Sequence, residues 1–487
     1  MLKTIHVLAV LGVATLAACA RNPATGKNEL MLVSESQEVA LGQQYDQQVI
    51  QQVGLYPDSG MQRYIQQFGE RLAANSERPN LQWTFRVVDD PAVNAFAVPG
   101  GHVYVTRGIL ANLNSEAELA SVVGHEIGHV AARHTAHEMS RQQLAGMGLG
   151  IAAVASPAVA QFAGAAQQAM QVMFLKFSRD DESQADELGL RYLARAQYDP
   201  SQMPRIFSML ERQSQAEGGS KLPQWLETHP DPGNRKTAIE QQIAALPPGT
   251  GGTTINRDSY IQRLDGLTYG TNPRDGYFKG TQFFHPGLRF QVTFPQGWQT
   301  VNGMTAVQAV SAAQDAALEL TVAQGQTSAD AAARSFLSKQ GITGGVATRA
   351  SLNGLPAVGS AFTATTPSGT IEGTVLFVEH AGAVYQIAGY GTAEHWAANQ
   401  AAVEGSMRSF QQLTDPAALN VQPQKLEIFT PPARTTITDV LRQRPSPLPA
   451  DRLALVNQVD TNTSLDAGHP VKWIVGLPSP SSNAMRQ

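Results

Sequence analysis

The run His125-Glu126-Ile127-Gly128-His129 constrains this chain more than any other stretch. Histidines four apart can meet on one cation when the backbone is helical, since one turn sets both rings on the same face. Neutral imidazoles placed so can share a zinc ion at about 2.0–2.1 Å each. Glu126 falls roughly 100° round the helix from His125. It reaches the water beside such an ion without ligating the ion, where a general base for peptide hydrolysis stands. Ser115 and Glu118 read as a capping box before Leu119, Val122 and Val123, which supports the helix independently. Five residues alone also fit an ordinary amphipathic helix with two surface histidines.

A catalytic zinc usually has three protein ligands, and the downstream run Ser178-Arg179-Asp180-Asp181-Glu182-Ser183-Gln184-Ala185-Asp186 offers the third. Ser178 with Asp181 reads as another helix start. Glu182 and Asp186 share a helical face. Glu182 is the expected third ligand. Asp186 is expected to accept the remote ring N–H of a histidine ligand. Taken alone, this run also fits a solvated acidic first turn suited to the helix dipole.

The pairing of His125-Glu126-x-x-His129 with Glu182-x-x-Ala185-Asp186 resembles the zinc metallopeptidases related to HtpX, the CAAX prenyl protease and Oma1, most of all the periplasmic BepA-like members. The stretches Asn94–Val105, Arg107-Gly108-Ile109-Leu110 and Thr228-His229-Pro230-Asp231-Pro232-Gly233-Asn234-Arg235 resemble further motifs of that family in the same order. The resemblance covers residues 35–245. It implies a mainly helical, zincin-type (gluzincin-like) protease domain with a small β-sheet, one Zn2+ per chain and polypeptide substrates. It also implies that Asn94, Ala95, Phe96 and Ala97 belong to an active-site edge strand able to pair with extended substrate. Two roles are open to His229: stabilising the oxyanion, or taking the fourth zinc position and keeping the enzyme latent. Arg235 is a weaker oxyanion candidate. His134 and His137 have the wrong spacing from His129 for ligands.

The N-terminus supplies an address. Lys3 precedes an apolar run from Val7 to Ala17, and Leu16-Ala17-Ala18-Cys19 resembles a bacterial lipobox. Cys19 is the one cysteine in the chain, so no disulfide framework exists, and lipid attachment accounts for it. The alternative is a cleaved secretory peptide with Cys19 incidental. Ala20 follows the cysteine in place of a retention-type Asp, which implies the outer membrane, facing the periplasm. A net charge of −5 with no basic run argues against a nucleic-acid partner.

At 487 residues the chain has room for several domains. We expect a signal peptide over 1–18, a tether over 19–34, the protease over 35–248, and a linker over 249–258 marked by Pro247-Pro248-Gly249. Alternating stretches such as Leu288–Phe294 and Thr370–Val378 predict an α+β accessory domain over 259–415, similar to the PsbP-like fold. Its His285, His380 and His395 are isolated and read as structural. Residues 425–475 resemble a degenerate LysM-like module, a type that binds peptidoglycan; 476–487 reads as a flexible tail. The Ala/Gly-rich run Leu144–Ala169 reads as a helical lid, with a membrane segment as the alternative.

The expected function is a lipid-anchored periplasmic zinc endopeptidase acting on unfolded or misassembled envelope proteins, with Glu126 as base. The alternative is an envelope chaperone or peptidoglycan-associated scaffold whose metal site is latent or structural. No 34-residue repeat follows the protease, so the BepA-like repeats are not carried over.

Overall fold

The computed structural model describes residues 19–148, 176–216, 223–230, 232–303, 305–366 and 369–476. Within them lie two compact units: one holds the chain up to Gly270 together with Lys425–Val475, and the other holds Thr271–Gln424. Among the described residues no helix is long and apolar enough to cross a membrane.

The first unit is built round the helix Glu116–Ala131, every residue of which is buried. Ser115 caps it by accepting from the Glu118 N–H at 3.1 Å. The Glu118 carboxylate accepts from the N–H of Asn114 at 2.6 Å instead of completing a capping box with Ser115. Against this helix lies Arg179–Arg195, which opens with the full Ser178/Asp181 capping box. Their contact is made of small residues. A Cβ on Gly128 would stand 2.9 Å from the carbonyl oxygen of Ala185, and one on Gly189 would stand 2.9 Å from the backbone N of His125. Glycine is required there because two backbones approach within the radius of a methyl group.

A three-stranded sheet flanks the pair. Thr84–Val88 runs parallel to His102–Thr106, which pairs antiparallel with Ala95–Val98 at the edge. The alternation from Ala95 to Val105 predicts one strand. Gly100 and Gly101, at φ +81° and +99°, turn it into a hairpin.

Three boundaries differ from those expected. Cys19–Arg21 pairs with Asn28–Leu30, and Asn22, fully buried, donates from its amide to the Ala132 carbonyl at 3.1 Å. The stretch expected as a free tether is thus docked at the C-terminal end of the central helix. The stretch expected as a linker is pinned, with the Asp199 N–H donating to Thr254 O at 3.0 Å and Gly252 N–H to Tyr198 O at 3.2 Å. Beyond it the helix Arg257–Arg263 sends the Tyr260 hydroxyl to the Leu110 carbonyl at 2.9 Å.

The third difference is the C-terminal segment. Val471–Val475 pairs with Gln424–Phe429, which pairs with Thr268–Tyr269. Ile437, Leu453 and Trp473 join the same hydrophobic core as Phe68 and Val123. Lys472 is buried, and its ammonium donates to the carbonyls of Ala111 and Leu113 at 2.7 and 2.9 Å. Gln458 donates to Glu118 at 2.9 Å. Residues 425–475 therefore complete the first unit instead of standing apart as a module. The expected lid lies outside the described residues from position 149 onward.

The second unit is α+β. Its eight-stranded antiparallel sheet runs Gln299–Asn302, Ala306–Val310, Ala316–Val322, Ala383–Thr392, Gly369–His380, Leu355–Thr366 and Ile342–Gly344, with Thr348–Leu352 also on Leu355–Thr366. Alternate residues of the central strands feed separate cores. Val378, Tyr385 and Ile387 meet Trp396 and Val403 of Trp396–Arg408, while Phe377, Val384 and Ala388 meet Phe336 of Ala329–Leu337. The period of two thus places one helix on each face.

Trp473→Ala tests whether the C-terminal segment is structural. Removing a fully buried indole is expected to destabilise the whole first unit by about 3–5 kcal/mol. Urea denaturation followed by far-ultraviolet circular dichroism reads this. Unchanged unfolding of the protease core would mean that 425–475 is autonomous.

Candidate metal centre

The central helix turns His125 and His129 to one side, and the close glycine contact brings Glu182 opposite them. His229 arrives from a separate element, at the C-cap of the short helix Gln224–Thr228. One donor atom from each of His125, His129, Glu182 and His229 lies within 4.8 Å of the others, and all four residues are buried. The His125 and His129 Nε2 atoms are 3.0 Å apart. Each is 3.5 Å from a Glu182 oxygen. A tetrahedron with bonds of about 2.0–2.1 Å has edges of about 3.3–3.4 Å, so the set has the size of a zinc-type site. Glu182 Oε2 meets Arg235 Nη1 at 2.7 Å but receives no hydrogen bond of good geometry, which leaves it lone pairs for a cation.

Electrostatics support the same use. Burial, reinforced by the neighbouring His125, His134 and His229, holds the His129 imidazole well below 6.5. It is therefore neutral at pH 7, the form that ligates. Burial alone would raise Glu182, but His229 and Arg235 outweigh it and keep the carboxylate ionised. His229 follows the opposite balance: burial lowers it, and the carboxylates of Glu182 and Glu126 raise it above the usual value.

Glu126 is buried beside the cluster and does not belong to it. Its Oε1 accepts from Trp225 Nε1 at 3.4 Å and faces His229 Nε2 at 3.6 Å. His229 thus touches both the donor set and the base, with Nδ1 at 3.2 Å from His125 Nε2 and 2.8 Å from Glu182 Oε1. Trp225 packs on His125 and His229 at centroid distances of 5.4 and 4.9 Å. Its backbone N–H donates to Val93 O at 3.2 Å, just ahead of the edge strand.

Asp186 sits behind His125, with Oδ1 3.0 Å from Nδ1. Arg235 grips the same carboxylate bidentately at 2.7 and 2.8 Å, and also donates to His229 O at 3.3 Å. Its guanidinium is hydrogen-bonded to Asp186 and His229 O and ion-paired with Glu182, which counts against the weaker oxyanion role. Asn94 precedes the edge strand Ala95–Val98. Thr106 N–H donates to Asn94 O at 3.1 Å, so by alternation the backbone groups of Ala95 and Ala97 point away from the sheet.

His134 lies outside the donor set, as its spacing predicts, yet it is buried against His129, Nδ1 to Nδ1 at 2.9 Å. Sequence reasoning missed this contact, and it missed Trp225 and Phe177, whose ring packs tilted against His129 at a centroid distance of 4.1 Å. Only the placing of Trp225 four residues before His229 held a readable signal. His285, His380 and His395 lie in the second unit; His285 and His395 bond three residues away, to Leu288 N–H and the Thr392 hydroxyl, and His380 bonds the Arg289 carbonyl at 2.8 Å.

Asp186→Asn tests the support of His125. An amide accepts more weakly and breaks the Arg235 fork, so metal affinity should fall by about 10–100-fold. Competition with a chromophoric chelator measures it, and unaltered affinity would remove Asp186 from the site.

Residues 59–243 match Peptidase family M48, a span that includes every member of the cluster. The chain is 32% identical over 235 residues to the beta-barrel assembly-enhancing protease of Yersinia pestis, covering 46% of this chain and 48% of that protein. To the protein of the same name from Escherichia coli K12 it is 32% identical over 222 residues, covering 44% and 45%. To the mitochondrial metalloendopeptidase OMA1 of Arabidopsis thaliana it is 34% identical over 187 residues, covering 38% and 36%. The chain thus spans about half the length, or less, of these curated relatives. Shared sequence and assembled donor set agree: residues 59–243 of this chain are a Peptidase family M48 domain.

Proposed function

We propose that this chain is a zinc-dependent endopeptidase that hydrolyses unfolded or misassembled polypeptides of the bacterial envelope, held at the periplasmic side of the outer membrane by lipid on Cys19. The observation that carries the reading is the convergence of His125, His129 and Glu182, with Glu126 buried beside them but outside the donor set. A structural metal site needs no such base. Relatives named as assembly-enhancing proteases support an envelope substrate.

In this reading His125, His129 and Glu182 hold the metal. Bound zinc supplies Lewis-acid polarisation of the scissile carbonyl and a lowered pKa for water. Glu126 accepts the proton of the attacking water and returns it to the leaving amine. Ala97, which is partly exposed, offers outward backbone groups to an extended substrate, and the buried Ala95 extends that edge once the cleft opens, a mode that favours unfolded chains over a fixed sequence. His229 acts as a latch: its Nδ1 lies within the donor set and its Nε2 faces the base, so both are engaged until Gln224–Thr228 moves. The second reading, a chaperone or peptidoglycan-associated scaffold, is favoured by the same closed arrangement if it never opens.

Glu126→Gln is expected to retain zinc and lose about 10²–10⁴-fold of casein hydrolysis. Equal activity of variant and wild type would sink the mechanism. His229→Ala is expected to raise hydrolysis with zinc retained. A fall would assign His229 to the oxyanion, and no cleavage by either protein would favour the scaffold.

A further inference from the structure

His134 is placed with a care that ligand chemistry alone does not explain. After Ala132 the chain folds back through Arg133, a non-glycine residue at φ +61°. Arg133 is fixed there by donating from Nε to Glu38 Oε2 at 2.6 Å and from Nη2 to Val33 O at 2.9 Å. The fold-back buries His134 with each ring nitrogen on one partner. Nε2 is 2.7 Å from Gln184 Oε1, and Nδ1 is 2.9 Å from His129 Nδ1. Gln184 lies on the helix that also carries Glu182 and Asp186.

A neutral imidazole has one N–H and one lone pair. The row Gln184–His134–His129 can therefore run in two polarities. In one, His134 donates from Nε2 to the Gln184 carbonyl and accepts at Nδ1 from His129 Nδ1–H, which leaves the His129 Nε2 lone pair on the donor set. In the other, the Gln184 amide donates, His134 donates to His129 Nδ1, and His129 carries its proton on Nε2, where it blocks a cation. Asp181 Oδ1 stands 3.7 Å from His134 Nε2. This carboxylate accepts only, so it favours the proton at His134 Nε2 and selects the first polarity. Phe177 covers the row, 4.1 Å from the His129 ring and 6.1 Å from that of His134.

We propose that Gln184 and His134 form a hydrogen-bond relay that sets the tautomer of His129 and so its competence to bind metal. His134 is a positioning residue that acts through His129. The inference rests on the metal-binding reading of the cluster and adds the polarity that such binding requires.

The test uses the full chain. Zinc affinity is measured by chelator competition for wild type, His134→Phe and His134→Gln. Phenylalanine keeps a ring but neither nitrogen, and is expected to weaken zinc about 10–100-fold. Glutamine can accept from His129 and donate to Gln184, and is expected to stay within about threefold of wild type, since a restored hydrogen bond leaves little net change. Equal affinity of wild type and His134→Phe would overturn the relay while leaving the metal site standing. No zinc binding by wild type would overturn both. Imidazole 15N spectra of wild type keep the test open should a variant misfold: His129 is expected as the Nδ1–H tautomer, and an Nε2–H tautomer would refute the relay.

Discussion

The contact between Glu116–Ala131 and Arg179–Arg195 governs everything else in the first unit. Donor atoms from two helices can reach one point only if the helix axes approach closely, and Gly124, Gly128 and Gly189 permit that approach. Interiors are close-packed and yield little. A side chain at these positions would move His125 relative to Glu182 before it moved anything else. The spacing of the donor atoms is thus fixed by backbone contact, and the side chains inherit it.

Close approach of so many ionisable groups needs compensation. Asp186 is buried and Glu182 is buried, and Arg235 meets both. Isolated charges in such a place would cost several kcal/mol each. The fork of Arg235 on Asp186 offsets that cost and holds the His-Pro segment to the ligand helix through His229 O. At the C-terminal end of the central helix, Glu38 joins Arg78 and Arg133 at 2.8 and 2.6 Å. Buried pairs beside His125 and beyond Ala131 thus compensate the charges packed round this helix.

The candidate donor set was legible in the sequence where it depended on helical spacing. His125, Glu126 and His129, and separately Glu182 and Asp186, follow from one helical turn each. His134, Gln184, Phe177 and Trp225 were not legible, because each acquires its role from a partner on another element. Domain boundaries failed for a related reason. Pro247–Gly252 carries the turn chemistry of a linker, but local chemistry does not say whether a turn is free or pinned to Tyr198. The C-terminal strand Val471–Val475 was read as part of a module, since its partner strand connects to Thr268–Tyr269 only across the whole accessory unit. Such long-range pairing leaves no local signature.

That pairing gives the chain an order of events. Thr268–Tyr269 and Val471–Val475 flank Gln424–Phe429 in one sheet, and the entire second unit is threaded between the first of these strands and the other two. The core round Phe68 and Val123 includes Trp473, which follows the second unit in sequence. A stretch of chain ending before Gln424 holds His125, Glu126, His129 and Glu182, yet lacks the strands that complete their core. The candidate site and the strands that close its core are thus separated in sequence by a whole compact unit. Assembly of the first unit therefore waits on sequence from both sides of Thr271–Gln424.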